Sequence, residues 1–132
     1  MNLIKTNVNP KEWKHEGDCV VRALAQASGK NWIQVYDELY EIGRKKFRMP
    51  NSQKVYEEWL KQNGFNKQPQ PRKNNGKKYT VREFADEIPR TEHYMNKWIV
   101  VSMANHLSVV HNGDLYDTWN CGSKSVGNYW IK

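Results

Sequence analysis

Apolar positions change their period once along this chain, and that change divides the molecule. Before Lys97 they recur at three- and four-residue intervals; after it they run together or alternate. Val20, Val21, Leu24 and Ala27 fall at helical spacing, with Asp18 in the N-cap position and Gly29 as the stop, which predicts a helix from Cys19 to Ser28. A second helix follows Asn31 as its cap, with Trp32, Val35, Tyr36, Leu39 and Ile42 in phase and an end near Gly43. Ser52 opens a third, placing Val55, Tyr56, Trp59 and Leu60 on one face and stopping at Gly64. Thr80 and Glu83 fit a capping box for a short fourth helix that ends before Pro89. Residues 1–17 read as an irregular lead-in, and Gln68 to Lys78, rich in Pro, Asn, Gly and Lys, as an exposed loop.

After Lys97 the signals are those of strands. Trp98 to Met103 is a continuous apolar run suited to a buried strand. Leu107 to His111 and Leu115 to Trp119 flank Asn112-Gly113, a strong hairpin turn signal, and Val126 to Ile131 supplies one more strand. Helices first and strands second predict an α+β fold, with N-terminal helices packed on a C-terminal antiparallel sheet.

The length, 132 residues, suits a single domain spanning 1–132 with a core of its own. Six Trp, seven Tyr and three Phe supply the bulk for that core. The net charge of +7 is uneven: twelve of the 21 Lys and Arg lie between Arg44 and Arg82, against Glu57 and Glu58 only. That basic, insertion-like region could meet nucleic acid, an acidic protein or only water. No apolar run is long enough to span a bilayer, so no membrane partner is expected. Met1 to Lys5 lack the apolar stretch of a secretory signal, which makes a cytoplasmic address the expectation. Two cysteines do not make a disulfide framework, and a reduced compartment leaves Cys19 free.

A free cysteine at a helix start is where the composition becomes chemistry. Unpaired N–H groups and positive partial charge gather there, stabilising a thiolate and able to receive an oxyanion. If Asn112 and Gly113 are the central turn residues, His111 faces Asp114, Ser108 faces Asp117 and His106 faces Trp119. His106, Ser108, Asp117 and Trp119 then share one face, with His106 and Asp117 as diagonal neighbours whose Cα atoms are about 7–8 Å apart, within reach of a carboxylate bonding an imidazole N–H. Cys19, His106 and Asp117 would thus supply a nucleophile, its base and an orienter for the base. Ser108 reads as a small spacer, Trp119 as a shield for the pair or as core, and Cys121 as incidental. Arg22 either pairs with an acid or sits at the cleft.

On these residues the chain resembles the papain-like cysteine peptidases, including the double-glycine peptidases that process bacteriocin leaders. The shared outline is Asp18-Cys19 opening the central helix, His106 at a strand start and Asp117 on the next strand. It also looks like small uncharacterised papain-fold proteins of Gram-positive bacteria and their phages. That likeness runs through Asp18-Cys19-Val20-Val21-Arg22-Ala23, Thr80-Val81-Arg82-Glu83-Phe84-Ala85, Asn105-His106-Leu107, Tyr116-Asp117-Thr118-Trp119 and Val126-Gly127-Asn128-Tyr129-Trp130. The resemblance implies a papain-like thiol hydrolase with Cys19 as nucleophile, His106 as base and Asp117 as orienter. Its substrate would be a peptide or protein, cleaved at a peptide, isopeptide or related amide; an acyltransferase would use the same groups. One departure stands out: papain-like enzymes place a Gln about six residues before the cysteine to complete the oxyanion hole. This chain has Trp13, Lys14 and His15 there, with Asn7, Asn9 and His15 as possible substitutes.

Other chemistries find less support. His15, His93, His111 and Cys121 lack zinc-ligand spacing, and no phosphate-cradling glycine loop occurs, so neither metal nor cofactor is expected. The remaining alternative is a catalytically weak papain-like scaffold that binds nucleic acid or a host protein through residues 44–82.

Overall fold

The computed structural model describes residues 1–88 and 91–132, so the expected helix stop at Pro89 lies outside the described residues. It is α+β. The elements, in order, are β1 (Leu3–Lys5), α1 (Cys19–Ser28), α2 (Trp32–Lys46), α3 (Gln53–Gln62), β2 (Asn66–Gln68), α4 (Val81–Glu87), a 3-10 turn (Glu92–Tyr94), β3 (Trp98–Met103), β4 (His106–His111), β5 (Asp114–Asp117) and β6 (Tyr129–Ile131).

The sheet differs from the purely C-terminal, antiparallel one that the sequence suggests. It has six strands in the order β1-β5-β4-β3-β6-β2 and is mixed, because β1 runs parallel to β5 with Lys5 opposite Asp117. Three residues from the lead-in thus close one edge, and Asn66–Gln68 pair with β6 at the other. Neither strand shows an alternating pattern long enough to read.

Alternation along β3 divides the core into two layers. Val100 joins Leu107, Val109 and Trp130 against α1, α2 and α3, while Ile99, Val101 and Met103 pack with Val81, Phe84 and Ala85 of α4. Within the basic stretch, Val55, Trp59, Leu60 and Phe65 all belong to the first layer. Helix α1 lies on β3 and β4 through Ala23, Ala25 and Ala27 as well as Val20, Val21 and Leu24, the small residues allowing close approach.

The Asn112-Gly113 turn sets the β4–β5 register as expected: His111 faces Asp114, Val110 faces Leu115 and Val109 faces Tyr116. β5 stops at Asp117 instead of reaching Trp119, because the next ladder donor, the Thr118 N–H, turns back to Asp117 Oδ1 at 2.6 Å. β6 begins at Tyr129, three residues later than expected. Just before it Gly127 presses so close to Ser102 that a Cβ would sit 2.9 Å from the serine Oγ. α2 continues past Gly43 to Lys46. No helix among the described residues is long and apolar enough to cross a membrane.

Candidate active site

Three element ends place the candidate residues. Cys19 is the first residue of α1, His106 the first of β4 and Asp117 the last of β5. Because β4 and β5 are antiparallel, the start of one lies beside the end of the other.

His106 Nε2 lies 2.6 Å from Asp117 Oδ2, both side chains being almost wholly buried. Asp117 is otherwise saturated. Ser108 Oγ donates to Oδ2 at 2.6 Å, Cys121 Sγ approaches the same oxygen at 3.7 Å, and the Thr118 N–H donates to Oδ1. The Thr6 N–H, just beyond β1, donates to the Asp117 carbonyl at 3.0 Å, fixing the backbone under the carboxylate. A buried carboxylate with this many donors stays ionised. Burial pushes its pKa up, but the hydrogen bonds from His106 and Ser108, the His106 charge and the Thr118 N–H hold it below the usual carboxylate value.

The same balance acts on the other two groups. Burial alone would push the Cys19 thiol up; the neighbouring His106 imidazole and Leu107 N–H, then the charges of His106 and Arg22, bring it below 9.0. Burial would depress His106, yet the hydrogen bond with Asp117, the nearby Cys121 and Cys19 thiols and the Asp117 charge raise it to about 11. The two shifts agree in sign: each favours a thiolate beside an imidazolium. Since Nε2 faces Asp117, Nδ1 is the ring nitrogen left for the thiol.

Asp18 occupies the N-cap position of α1 but does not cap it, a departure from the sequence reading. Its φ of −100° and ψ of 24° lie outside the extended region that capping needs. The carboxylate instead holds Arg22 Nη1 at 2.7 Å, Trp32 Nε1 at 2.9 Å and Asn9 Nδ2 at 3.0 Å. The backbone N–H groups of Cys19, Val20 and Val21 are left without an acceptor among the described residues.

Arg22, so tethered, lines a narrow crevice with Cys19, Leu107 and Asp117. It also lines a larger open groove of about 850 Å³ bordered by Thr6, Trp13, His15 and Trp119. Trp119 is 42% exposed and its ring stands 5.0 Å from that of His106, so it flanks the pair and is not core. The glutamine substitutes fare unequally. Asn7 Nδ2 donates to the Trp13 carbonyl at 3.4 Å, Asn9 Nδ2 is held by Asp18, and His15 is exposed on the groove.

Ser108 and Cys121 are the participants that the sequence reading undervalued. Ser108 sits opposite Asp117 in the expected register, so that pairing was itself the signal; for Cys121, in an irregular loop, no periodicity gives one. Among the described residues, His106, Asp117 and Cys121 form the one group of metal-ligating donors within 4.8 Å of one another. Their 2.6 Å Nε2–Oδ2 separation is that of a hydrogen bond, shorter than two ligands about 2.0–2.3 Å from a tetrahedral zinc would keep. His15, His93 and His111 stand apart from that group, the His111 ring lying flat on Trp98 at 4.0 Å. Comparison with protein-family models, curated proteins and solved structures finds no match to this chain.

Proposed function

We propose that this protein is a papain-like thiol hydrolase acting on a peptide, isopeptide or related amide. The observation that carries the reading is the buried 2.6 Å His106–Asp117 bond, with Cys19 opening α1 close enough to His106 for the imidazole to help lower its pKa. In the proposed reaction the Cys19 thiolate attacks the carbonyl carbon and the oxygen takes up the negative charge. The open N–H groups of α1 receive that oxyanion. The His106 imidazolium gives its Nδ1 proton to the leaving nitrogen as the C–N bond breaks, leaving a thioester on Cys19. Neutral His106 then takes a proton from water; the hydroxide displaces the sulfur, releasing the acid and restoring the ion pair. Asp117 holds the ring and stabilises its charged form without taking the proton. Trp13 and Trp119 line the groove among polar and charged residues, and Trp119, its ring 5.0 Å from that of His106, brings the groove beside the pair.

Alkylation of Cys19 by iodoacetamide at neutral pH tests the thiolate. Fast labelling of the native chain, falling sharply in His106→Ala, is the expected result. Equal, slow labelling of both would remove the activated nucleophile and the hydrolase with it. Thioester formation with peptide p-nitroanilides, followed by intact mass, then tests turnover.

A further inference from the structure

Past the end of α2, the turn into α3 presents a different kind of surface. α2 ends in a Schellman motif: the Arg48 N–H bonds the Gly43 carbonyl at 2.9 Å and the Phe47 N–H bonds that of Arg44 at 3.4 Å. The motif requires a left-handed residue at its centre, and Phe47 occupies that position with φ 56° and ψ 44°. Glycine is the usual occupant, because a Cβ there is strained. Here the strained residue is also a phenylalanine that is 96% exposed, with Met49 69% exposed two residues on. Folding stability is served by neither choice.

The turn is built to hold that side chain out. A Cβ on Gly43 would lie 2.6 Å from the Arg48 carbonyl, so the chain closes tightly over the helix. Tyr40, Gly43, Phe47, Met49 and Pro50 form an open apolar depression of about 460 Å³ that Arg44 and Arg48 also line. Lys45 pairs with Glu41 at 3.4 Å, while Arg44, Lys46 and Arg48 have no ion-pair partner among the described residues. The helix dipole accounts for basic residues in the last turn of α2. It accounts for neither Arg48 nor the apolar projection.

We propose that this turn is a docking surface for an anionic lipid bilayer, Phe47 and Met49 entering the interfacial layer while Arg44, Lys46 and Arg48 meet lipid phosphates. Charge complementarity selects the occupant: four cations in five residues with no acid among them, around an apolar tip. A projection exposed on every side suits a bilayer, which yields around it, better than a preformed protein pocket. Single-stranded nucleic acid favours successive aromatic platforms. The other aromatics of the basic stretch, Tyr56, Trp59, Phe65 and Tyr79, are built into the core or packed on it. The expected lack of a membrane partner concerned spanning segments, and surface docking needs none.

Pelleting of the full chain with vesicles tests the proposal independently of Cys19 chemistry. Binding is expected to phosphatidylcholine vesicles carrying roughly 30 mol% phosphatidylglycerol and to be lost on pure phosphatidylcholine. Phe47→Gly should weaken binding about tenfold, while raising or preserving the melting temperature, since glycine relieves the left-handed strain. Phe47→Trp should retain binding, and Arg44→Gln with Arg48→Gln should weaken it about 25-fold. Equal pelleting of folded Phe47→Gly and native chains would overturn the proposal. So would equal binding to both vesicle types, or binding to an oligothymidylate that Phe47→Gly weakens while vesicles do not pellet.

Discussion

Helices α1 and α4 begin in opposite ways. At α4 every early backbone donor has an acceptor. Val81 N–H bonds the Lys124 carbonyl, Arg82 N–H that of Gly122, and Glu83 N–H the Thr80 hydroxyl, while the Glu83 carboxylate returns to the Thr80 N–H. At α1 the residue in the cap position has turned away, and the first three donors face no acceptor among the described residues. Orphan donors at a helix start cost stability. The unsatisfied end is the one carrying Cys19, whose pKa the neighbouring His106 helps to lower, and the satisfied end carries none of the candidate residues. An open helix end beside the proposed nucleophile is what oxyanion stabilisation would require.

The largest effect that separates the two ends is expected from Asp117→Ala. Removing this carboxylate leaves the buried His106 Nε2 without its acceptor and Ser108 Oγ with only the Tyr116 carbonyl at 3.4 Å. Chemical denaturation should register a loss of about 3–5 kcal/mol. Alkylation of Cys19 at pH 6 should slow on the order of a hundredfold, since an ordinary thiol is almost wholly protonated there. Labelling that stayed fast in a folded Asp117→Ala chain would separate thiol activation from the triad.

The pH dependence of stability sharpens the same point. His106 is raised from 6.5 to about 11, so alone it contributes stability that is complete below 6.5 and lost as pH rises to about 11. Cys19 is lowered from 9.0, so alone it contributes stability that grows with pH up to 9.0. Once Cys19 has ionised in the folded chain, and above 6.5, folded and unfolded chains hold the same number of protons on the pair, and the slopes cancel. Between 9.0 and about 11 only the His106 contribution remains, and stability should fall by up to about 1.4 kcal/mol per pH unit. Denaturation midpoints across this range should show that plateau and fall, and His106→Gln should flatten the fall. A steady decline from pH 6.5 would mean that Cys19 stays protonated in the folded protein.

What could be read from the sequence divides along the same line. The Thr80–Glu83 box is local, four residues long, and formed as read. The hairpin register follows from a two-residue turn and a period of two, so the proximity of His106 and Asp117 is legible in the sequence. Asp18 was misjudged because what competes for its carboxylate lies elsewhere: Trp32 at the start of α2 and Asn9 in the lead-in. β1 and Cys121 were missed for a related reason. A three-residue parallel strand and a loop thiol have neighbours fixed by the tertiary fold, with no periodicity of their own.

Asp18→Ala comes next in size. It strands the Arg22 guanidinium and the Trp32 indole N–H in part-buried positions, for an expected loss of about 2 kcal/mol by denaturation. Because Asp18 touches neither sulfur nor imidazole, Cys19 labelling should change less than threefold, an order-of-magnitude expectation for an indirect contact. A collapse of labelling in a folded variant would make Asp18 part of the thiolate's support, so that the open helix end and the Asp18–Arg22 pair act as one unit.

Thr80→Ala is the smallest change and the one that isolates the comparison. The alanine removes the hydroxyl that accepts the Glu83 N–H at 3.1 Å, creating one orphan donor at α4 where α1 already has three. Loss of such a cap costs about 1 kcal/mol, measurable as a shifted denaturation midpoint with unchanged slope. Cys19 labelling and its pH profile should not move, since α4 packs on the sheet face opposite α1. The donors of α4 do bond Gly122 and Lys124, next to Cys121 and hence to the Asp117 network. A change in the labelling profile of Thr80→Ala would therefore locate a coupling through that loop, and the two helix ends would no longer be independent.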